Sequence, residues 1–193
     1  MLVDLMPQFQ SFSTFLAMVD GRFAQVIHNN LLAQMPNGTV AVGAEFGGVT
    51  MTWQVWEAIG DALNGHAGNI SSLFTNSIFD SVGEDEAIAI LNTICLTFQN
   101  SPLDTLNVQN NALPPHVFRA LRPLLGPNLV SIVMTYCGLF DVQLGILVEC
   151  VDGAVNLCVL QFDRNQNMMD QSAVLISRMM KRNNSLLNFT VSS

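Results

Sequence analysis

One segment constrains the fold of this chain more than any other. Residues 102–125 read PLDTLNVQNNALPPHVFRALRPLL, and their apolar spacing changes halfway. Leu103, Leu106, Val108 and Leu113 follow neither strict alternation nor a 3.6-residue period, whereas Phe118, Leu121, Leu124 and Leu125 follow the helical one. The first half defines a template: apolar residues at positions 1, 4 and 6, Asn or Cys at position 9, and an apolar residue at position 11. It recurs as Leu129, Ile132, Met134, Cys137, Leu139, then as Leu157, Leu160, Phe162, Asn165, with Asn167 where an apolar residue is expected. Leu186, Phe189 and Val191 begin it again, Ile70 and Leu73 fit with Thr75 and Ile78 as weaker matches, and Thr39, Val42, Ala44, Gly47 and Val49 fit loosely. The starts fall near 39, 70, 103, 129, 157 and 186, a period of 26 to 33 residues. Such a period marks a chain built from stacked supersecondary units.

A helix-spaced stripe follows each of the first five starts. The stripes are Trp53, Trp56, Ile59, Leu63; Ile88, Leu91, Cys95, Phe98; the Phe118 set above; Leu144, Leu147, Val148, Val151; and Ala173, Ile176, Met180. Spacings of three and four put each set on one helix face. Short strands alternating with helices predict an α/β fold.

The template resembles the leucine-rich repeat, L-x-x-L-x-L-x-x-N/C-x-L, in its long, helix-bearing ribonuclease-inhibitor form. "LDTLNVQNNAL" at 103–113 and "LVSIVMTYCGL" at 129–139 carry the resemblance best, and it extends over roughly residues 38–191. It implies an α/β solenoid with a curved parallel β-sheet on the concave side and helices on the convex side. Positions 4 and 6 would face the core, and the Asn or Cys at position 9 would satisfy backbone groups in the turn. No unit buries its apolar face alone, so stability would come from stacking. Position 9 reads Gly47, Ile78, Asn111, Cys137 and Asn165. Because Ile78 cannot serve a turn and its unit is the longest, an irregular loop is predicted over Phe79–Ala87.

Residues 1–37 are expected to form a helical N-terminal cap ahead of the repeats at 38–193. Arg22–Met35 reads as a helix stopped by Pro36-Asn37-Gly38, and Leu5–Met18 as another. At the opposite end, the strand Leu186–Val191 leaves an open edge that could associate edge to edge, or be covered by further chain.

Charge narrows the function. Only 11% of residues are charged, and the net charge is -8. That excludes a phosphate-neutralising nucleic-acid surface and a polybasic membrane anchor. No run of about 20 apolar residues suggests a membrane span. The segment "MLVDLMPQFQSFSTFLAMVDG" lacks a basic start and is broken by Asp4, Pro7, Gln8 and Gln10, so it reads as structure and not as a signal peptide. Cys95, Cys137, Cys150 and Cys158 form no CxxC pair and sit in apolar segments. Free thiols in a reducing, cytoplasmic setting are the expectation, with two disulfides as the alternative. Four N-x-S/T sequons, at Asn37, Asn69, Asn183 and Asn188, keep an extracellular location as the other reading.

No catalytic signature is found: there is no phosphate-binding loop, nucleophile elbow or zincin motif. His28, His66 and His116 lie on unrelated segments, so neither a metal nor a cofactor is expected. Glu84, Asp85 and Glu86 complement a helix start, and Arg178, Lys181 and Arg182 a helix end. Met168, Met169, Met179 and Met180 read as core filling. The repeat resemblance places positions 3, 5 and 7 on the concave face. Those residues are Ala41, Gly43, Glu45; Ser72, Phe74, Asn76; Thr105, Asn107, Gln109; Ser131, Val133, Thr135; Val159, Gln161, Asp163; and Asn188, Thr190, Ser192. The candidate partner-binding residues are Phe74, Asn76, Asn107, Gln109, Thr135, Tyr136, Gln161, Asp163 and Arg164, with Phe46 and Glu45 behind them.

Residues 76–113 also resemble the repeats of Ran GTPase-activating proteins in layout. That family places an arginine in a loop before such a helix, with an asparagine from a neighbouring turn. Here Phe79–Ala87 contains no arginine, and Tyr136-Cys137-Gly138 replaces an asparagine pair. The resemblance therefore implies the fold and not the activity. The expected function is a non-enzymatic scaffold for a protein partner; a small-GTPase regulator lacking the catalytic arginine is the alternative.

Overall fold

The computed structural model describes residues 2–4, 42–47, 52–63, 67–79, 82–151, 154–166, 168, 170–183 and 185–192. Within them the chain is α/β, with strands β1 (Leu2–Asp4), β2 (Val42–Gly47), β3 (Ile70–Asn76), β4 (Thr105–Asn107), β5 (Ser131–Val133), β6 (Val159–Gln161) and β7 (Asn188–Thr190). These pair in chain order and all in parallel. From β2 onward, helices α1 (Trp53–Leu63), α2 (Glu84–Phe98), α3 (Pro115–Ala120), α4 (Asp141–Cys150) and α5 (Asp170–Arg182) alternate with them. Parallel neighbours require a crossover, and these helices provide it.

The template positions become rows across the sheet. Leu73, Leu106, Ile132, Leu160 and Phe189, all at position 4, stand side by side. The first four are fully buried. Position 6 supplies a second buried row of Thr75, Val108, Met134 and Phe162. Their neighbours at positions 3 and 5 are half-buried on the other face, as strand geometry requires.

The first unit sits two residues later than expected. Ala44 pairs with Leu73, after a register shift between Val42 and Gly43, so the unit begins at Ala41 and not at Thr39. Small residues at 43, 44 and 47 give the sequence pattern little apolar weight with which to choose a register. A two-residue slip keeps every side chain on its face. Phe46 therefore occupies position 6 and is wholly buried, edge-on to Trp56 with ring centroids 4.9 Å apart. It is a core residue, which corrects its reading as a partner contact.

The helix stripes hold with local departures. In α1, Val55, Trp56, Ile59 and Leu63 are buried while Trp53 is exposed. Gly60 lets α1 approach α2: a Cβ there would lie 2.7 Å from Thr97 Oγ1. Helix α2 already begins at Glu84, so the irregular segment is shorter than Phe79–Ala87; Asp80 and Ser81 lie outside the described residues. Helix α3 has Pro115 in its first turn, and Pro123 turns the chain into a 3₁₀ turn over Arg122–Leu124. Phe118, Leu121, Leu124 and Leu125 are nonetheless all buried.

In α5 the inward face is Ser172, Ile176 and Met179, with Ala173 and Met180 exposed. That face is rotated by one residue from expectation: Ser172 turns inward, where its Oγ donates to Asp141 Oδ1 of α4, a part-buried polar contact that reads as surface in sequence. Met180 is thus not core filling.

All four thiols are free. Asn183 is buried and its Nδ2 donates to Met179 O at 3.2 Å, which leaves no room for a glycan on that sequon. No helix among the described residues is long and apolar enough to cross a membrane. The helices expected over Leu5–Met18 and Arg22–Met35 lie outside the described residues, as do His28, His66 and Asn37.

Candidate functional site

The site is built from the turns at the C-terminal ends of the strands. Strand β3 ends at position 7 and strands β4 to β6 at position 5, and in each of these units position 8 takes the left-handed conformation. Ser77 (φ 53), Asn110 (φ 56), Tyr136 (φ 57) and Arg164 (φ 60) are successive instances. Outside glycine this conformation costs about 1–2 kcal/mol per residue. The reversal swings position 9 inward, where its side chain satisfies the turn.

Asn111 is the clearest case. It has no exposure; its Nδ2 donates to Thr75 O, Val108 O and Gln109 O at 2.9–3.0 Å. Its Oδ1 accepts from Ile78 N at 2.9 Å and Phe79 N at 3.2 Å. One asparagine thus serves its own turn and the preceding one, which explains how Ile78 is tolerated at position 9. Asn165 repeats the scheme, donating to Met134 O and Phe162 O and accepting from Cys137 N and Leu139 N. Cys137 is the weaker substitute, its Sγ donating to Val108 O at 3.1 Å. Burial pushes the Cys137 thiol from 9.0 up to about 12, against an opposing hydrogen bond from the Asn111 backbone. Burial alone does the same to Cys95. Neither is a nucleophile at neutral pH.

These clamps hold the position-8 residues in a line. Their amides donate to the position-7 carbonyls of the next unit: Asn110 to Thr135 at 2.8 Å, Tyr136 to Asp163 at 3.1 Å, Arg164 to Ser192 at 2.7 Å. Side chains join along the same line. Arg164 Nη1 donates to Tyr136 Oη at 2.9 Å, and its guanidinium carbon lies 5.0 Å from the Tyr136 ring centroid. Asn110 Nδ2 donates to Asn76 Oδ1 at 2.9 Å, as does Ser77 Oγ at 3.2 Å. Beside them, Thr190 Oγ1 donates to Asp163 Oδ2 at 2.7 Å. A depression of about 490 Å³ opens between Ser77, Asn110, Ala112, Tyr136 and Gly138.

The structure therefore brings together Asn76, Tyr136, Asp163 and Arg164 of the candidate residues. Gln109 and Thr135 lie in the position-7 row between them. Phe74, Asn107 and Gln161 form the position-5 row on the half-buried strand face. Tyr136 and Arg164 stand on the turn ridge beyond the strands, and both are exposed. Ser77 and Asn110 are not among the residues the sequence pattern points to, and Thr190 is placed by it on the concave face but not among the candidates. The signal for Asn110 was available: asparagine is enriched in left-handed turns. The side chain of Glu45 lies outside what the structure describes.

No protein-family model matches the sequence, and no curated protein matches it. What the site can do must come from its chemistry. Among the described residues no three His, Cys, Asp or Glu side chains converge on a metal position. His116 Nε2 instead lies 2.8 Å from Glu84 Oε2, at the starts of α3 and α2. The ridge offers amides, hydroxyls, one carboxylate and an arginine stacked on an aromatic ring.

Proposed function

We propose that the chain is a leucine-rich-repeat solenoid of the ribonuclease-inhibitor type and a non-enzymatic binding scaffold. Its partner is a protein that lies across the strand face and along the ridge from Asn76 to Arg164. The observation that carries this reading is the Tyr136–Arg164 pair. Tyr and Arg are the side chains most often responsible for interface affinity. Here they are exposed, stacked on each other and held by turns whose backbone is already clamped, so little ordering remains to oppose binding. Asp163, held by Thr190, adds a fixed acceptor beside them. The free thiols support a reducing compartment such as the cytoplasm.

A photo-crosslinking residue placed at Thr135 or Gln161 tests the face. We expect it to trap a specific protein from the native cell. We expect that product to be lost when Tyr136→Ala and Arg164→Ala are combined, with the thermal melt unchanged. An undiminished product in the double variant would show that the partner binds elsewhere.

A further inference from the structure

The Tyr136–Arg164 pair leaves most of its donors unused. A guanidinium carries five N–H donors. Arg164 gives one, from Nη1, to Tyr136 Oη, and among the described residues no carboxylate pairs with it. Tyr136 Oη accepts that bond, and its own proton goes to no described residue. Both side chains are exposed, Tyr136 at 49%. The turns that carry them have a described unit on either side: Asn110 N donates to Thr135 O, Tyr136 N to Asp163 O and Arg164 N to Ser192 O. Arg164 also reaches back over Tyr136, toward the inner units.

Charge elsewhere sets this position apart. The other described lysines and arginines are Arg119, Arg122, Arg178, Lys181 and Arg182, in the C-terminal halves of α3 and α5 or just past α3. Each helix runs back against its strand, so those residues lie at the end of their units away from the ridge. His116 is taken by Glu84. The charges nearest Arg164 in the turns are negative: Asp163 precedes it, and Asp141 and Asp170 open α4 and α5. Covering Arg164 with a neutral partner would bury an unpaired charge, which is costly, so an anion must meet it. A phosphate carries up to two charges and would confront those three carboxylates with a single arginine to offset it. A carboxylate carries one charge, and its two oxygens match two parallel N–H groups of the fork. Tyr136 also lines the depression of about 490 Å³, whose other walls include Ala112 and Gly138 and so admit an apolar side chain. Units stand about 4.8 Å apart, so the depression and the guanidinium, one to two units apart, are separated by about 5–10 Å. Residues i and i+2 of an extended segment are about 7 Å apart and share a face.

We propose that the ridge recognises an extended segment of a partner protein in which a lone Asp or Glu lies two residues from an apolar side chain. This rests on the reading of the ridge as the partner-binding surface. The carboxylate takes two of the unused donors of Arg164, with the Tyr136 hydroxyl as a further donor, and the apolar side chain enters the depression beside Asn110 and Gly138. A run of acids is repelled by Asp163, Asp141 and Asp170, so the surface selects a single one.

The test titrates the full, nitrogen-15-labelled chain with the capped peptide acetyl-Ser-Leu-Ser-Glu-Ser-Leu-Ser-amide, which reads alike in both directions. The Arg164 Nε–H signal and the backbone amides of Asn110 and Gly138 should shift together. An analogue with Gln for Glu should bind about tenfold more weakly, or by about 1.4 kcal/mol. An analogue with Ser for both Leu should still move the Arg164 signal and lose the shift at Gly138. Arg164→Gln should bind the Glu and Gln peptides equally, with the circular-dichroism melt unchanged. Equal binding of those two peptides by the wild-type chain, or shifts that spare Arg164, overturns the proposal. A phosphoserine analogue that binds more tightly than the Glu peptide overturns it in favour of a phosphorylated segment. If the crosslinked product from Thr135 or Gln161 forms and the Glu peptide does not bind, the partner face stands and this assignment falls. If neither occurs, both fall.

Discussion

Asn111→Ala is expected to cost this fold more than any surface substitution. The side chain is fully buried and makes five hydrogen bonds, two accepted from Ile78 and Phe79 and three donated to Thr75, Val108 and Gln109. Alanine leaves the two amides without a partner, and a buried unsatisfied group costs about 1–3 kcal/mol. The Thr75 carbonyl, shared across units, loses a donor as well. Together these give a loss of about 4 kcal/mol, against a total stability of about 5–15 kcal/mol for a domain. Urea unfolding followed by tryptophan fluorescence reports it from Trp53 and Trp56, both in α1 on the N-terminal side of the clamp. Circular dichroism reports the whole array, and coincident curves license a two-state reading. Asn111→Cys should fall between wild type and alanine, because a thiol at that position can donate once, as Cys137 does to Val108 O. Amide exchange should accelerate at Ile78 and Phe79 before elsewhere. A loss below about 1 kcal/mol, the typical net worth of a single hydrogen bond, or unchanged protection of those two amides, would refute the clamp as the source of turn stability.

Two further outcomes follow from the turns and thiols. Ser77 holds φ 53 and makes one side-chain bond, to Asn76, so Ser77→Gly should raise stability by about 1 kcal/mol; a lower urea midpoint would contradict the strain argument. Cys95 and Cys137, buried and with thiols raised to about 12, should resist alkylation at pH 8 while the partly exposed Cys158 reacts, and mass mapping of the modified residues decides this. The same raised values make the contribution of these two thiols to stability constant below pH 9.0 and falling from there toward pH 12, since the unfolded thiols ionise first. A urea midpoint that held steady from pH 8 to pH 11 would contradict that sign.

The sequence by itself determined which strand and turn residues from Leu103 to Asn165 are buried, and that Asn111, Cys137 and Asn165 occupy their turns. Leu103, Leu106, Val108, Asn111 and Leu113 are all buried, as their pattern predicts, and so are their counterparts Leu129 to Leu139 and Leu157 to Asn165. Burial at a strand or helix position depends on local periodicity, which a linear pattern records. The pattern failed where local evidence was thin or where polarity misled. Ala44 and its glycine neighbours left the first register two residues out, and Ser172 hid the true face of α5. The ridge was decided by tertiary structure alone. Tyr136 meets Arg164 across 28 residues of sequence, and Asn76 meets Asn110 across 34. Such contacts depend on how each turn is offset against the next, and that offset is set by strand register and buried clamps at Asn111 and Asn165.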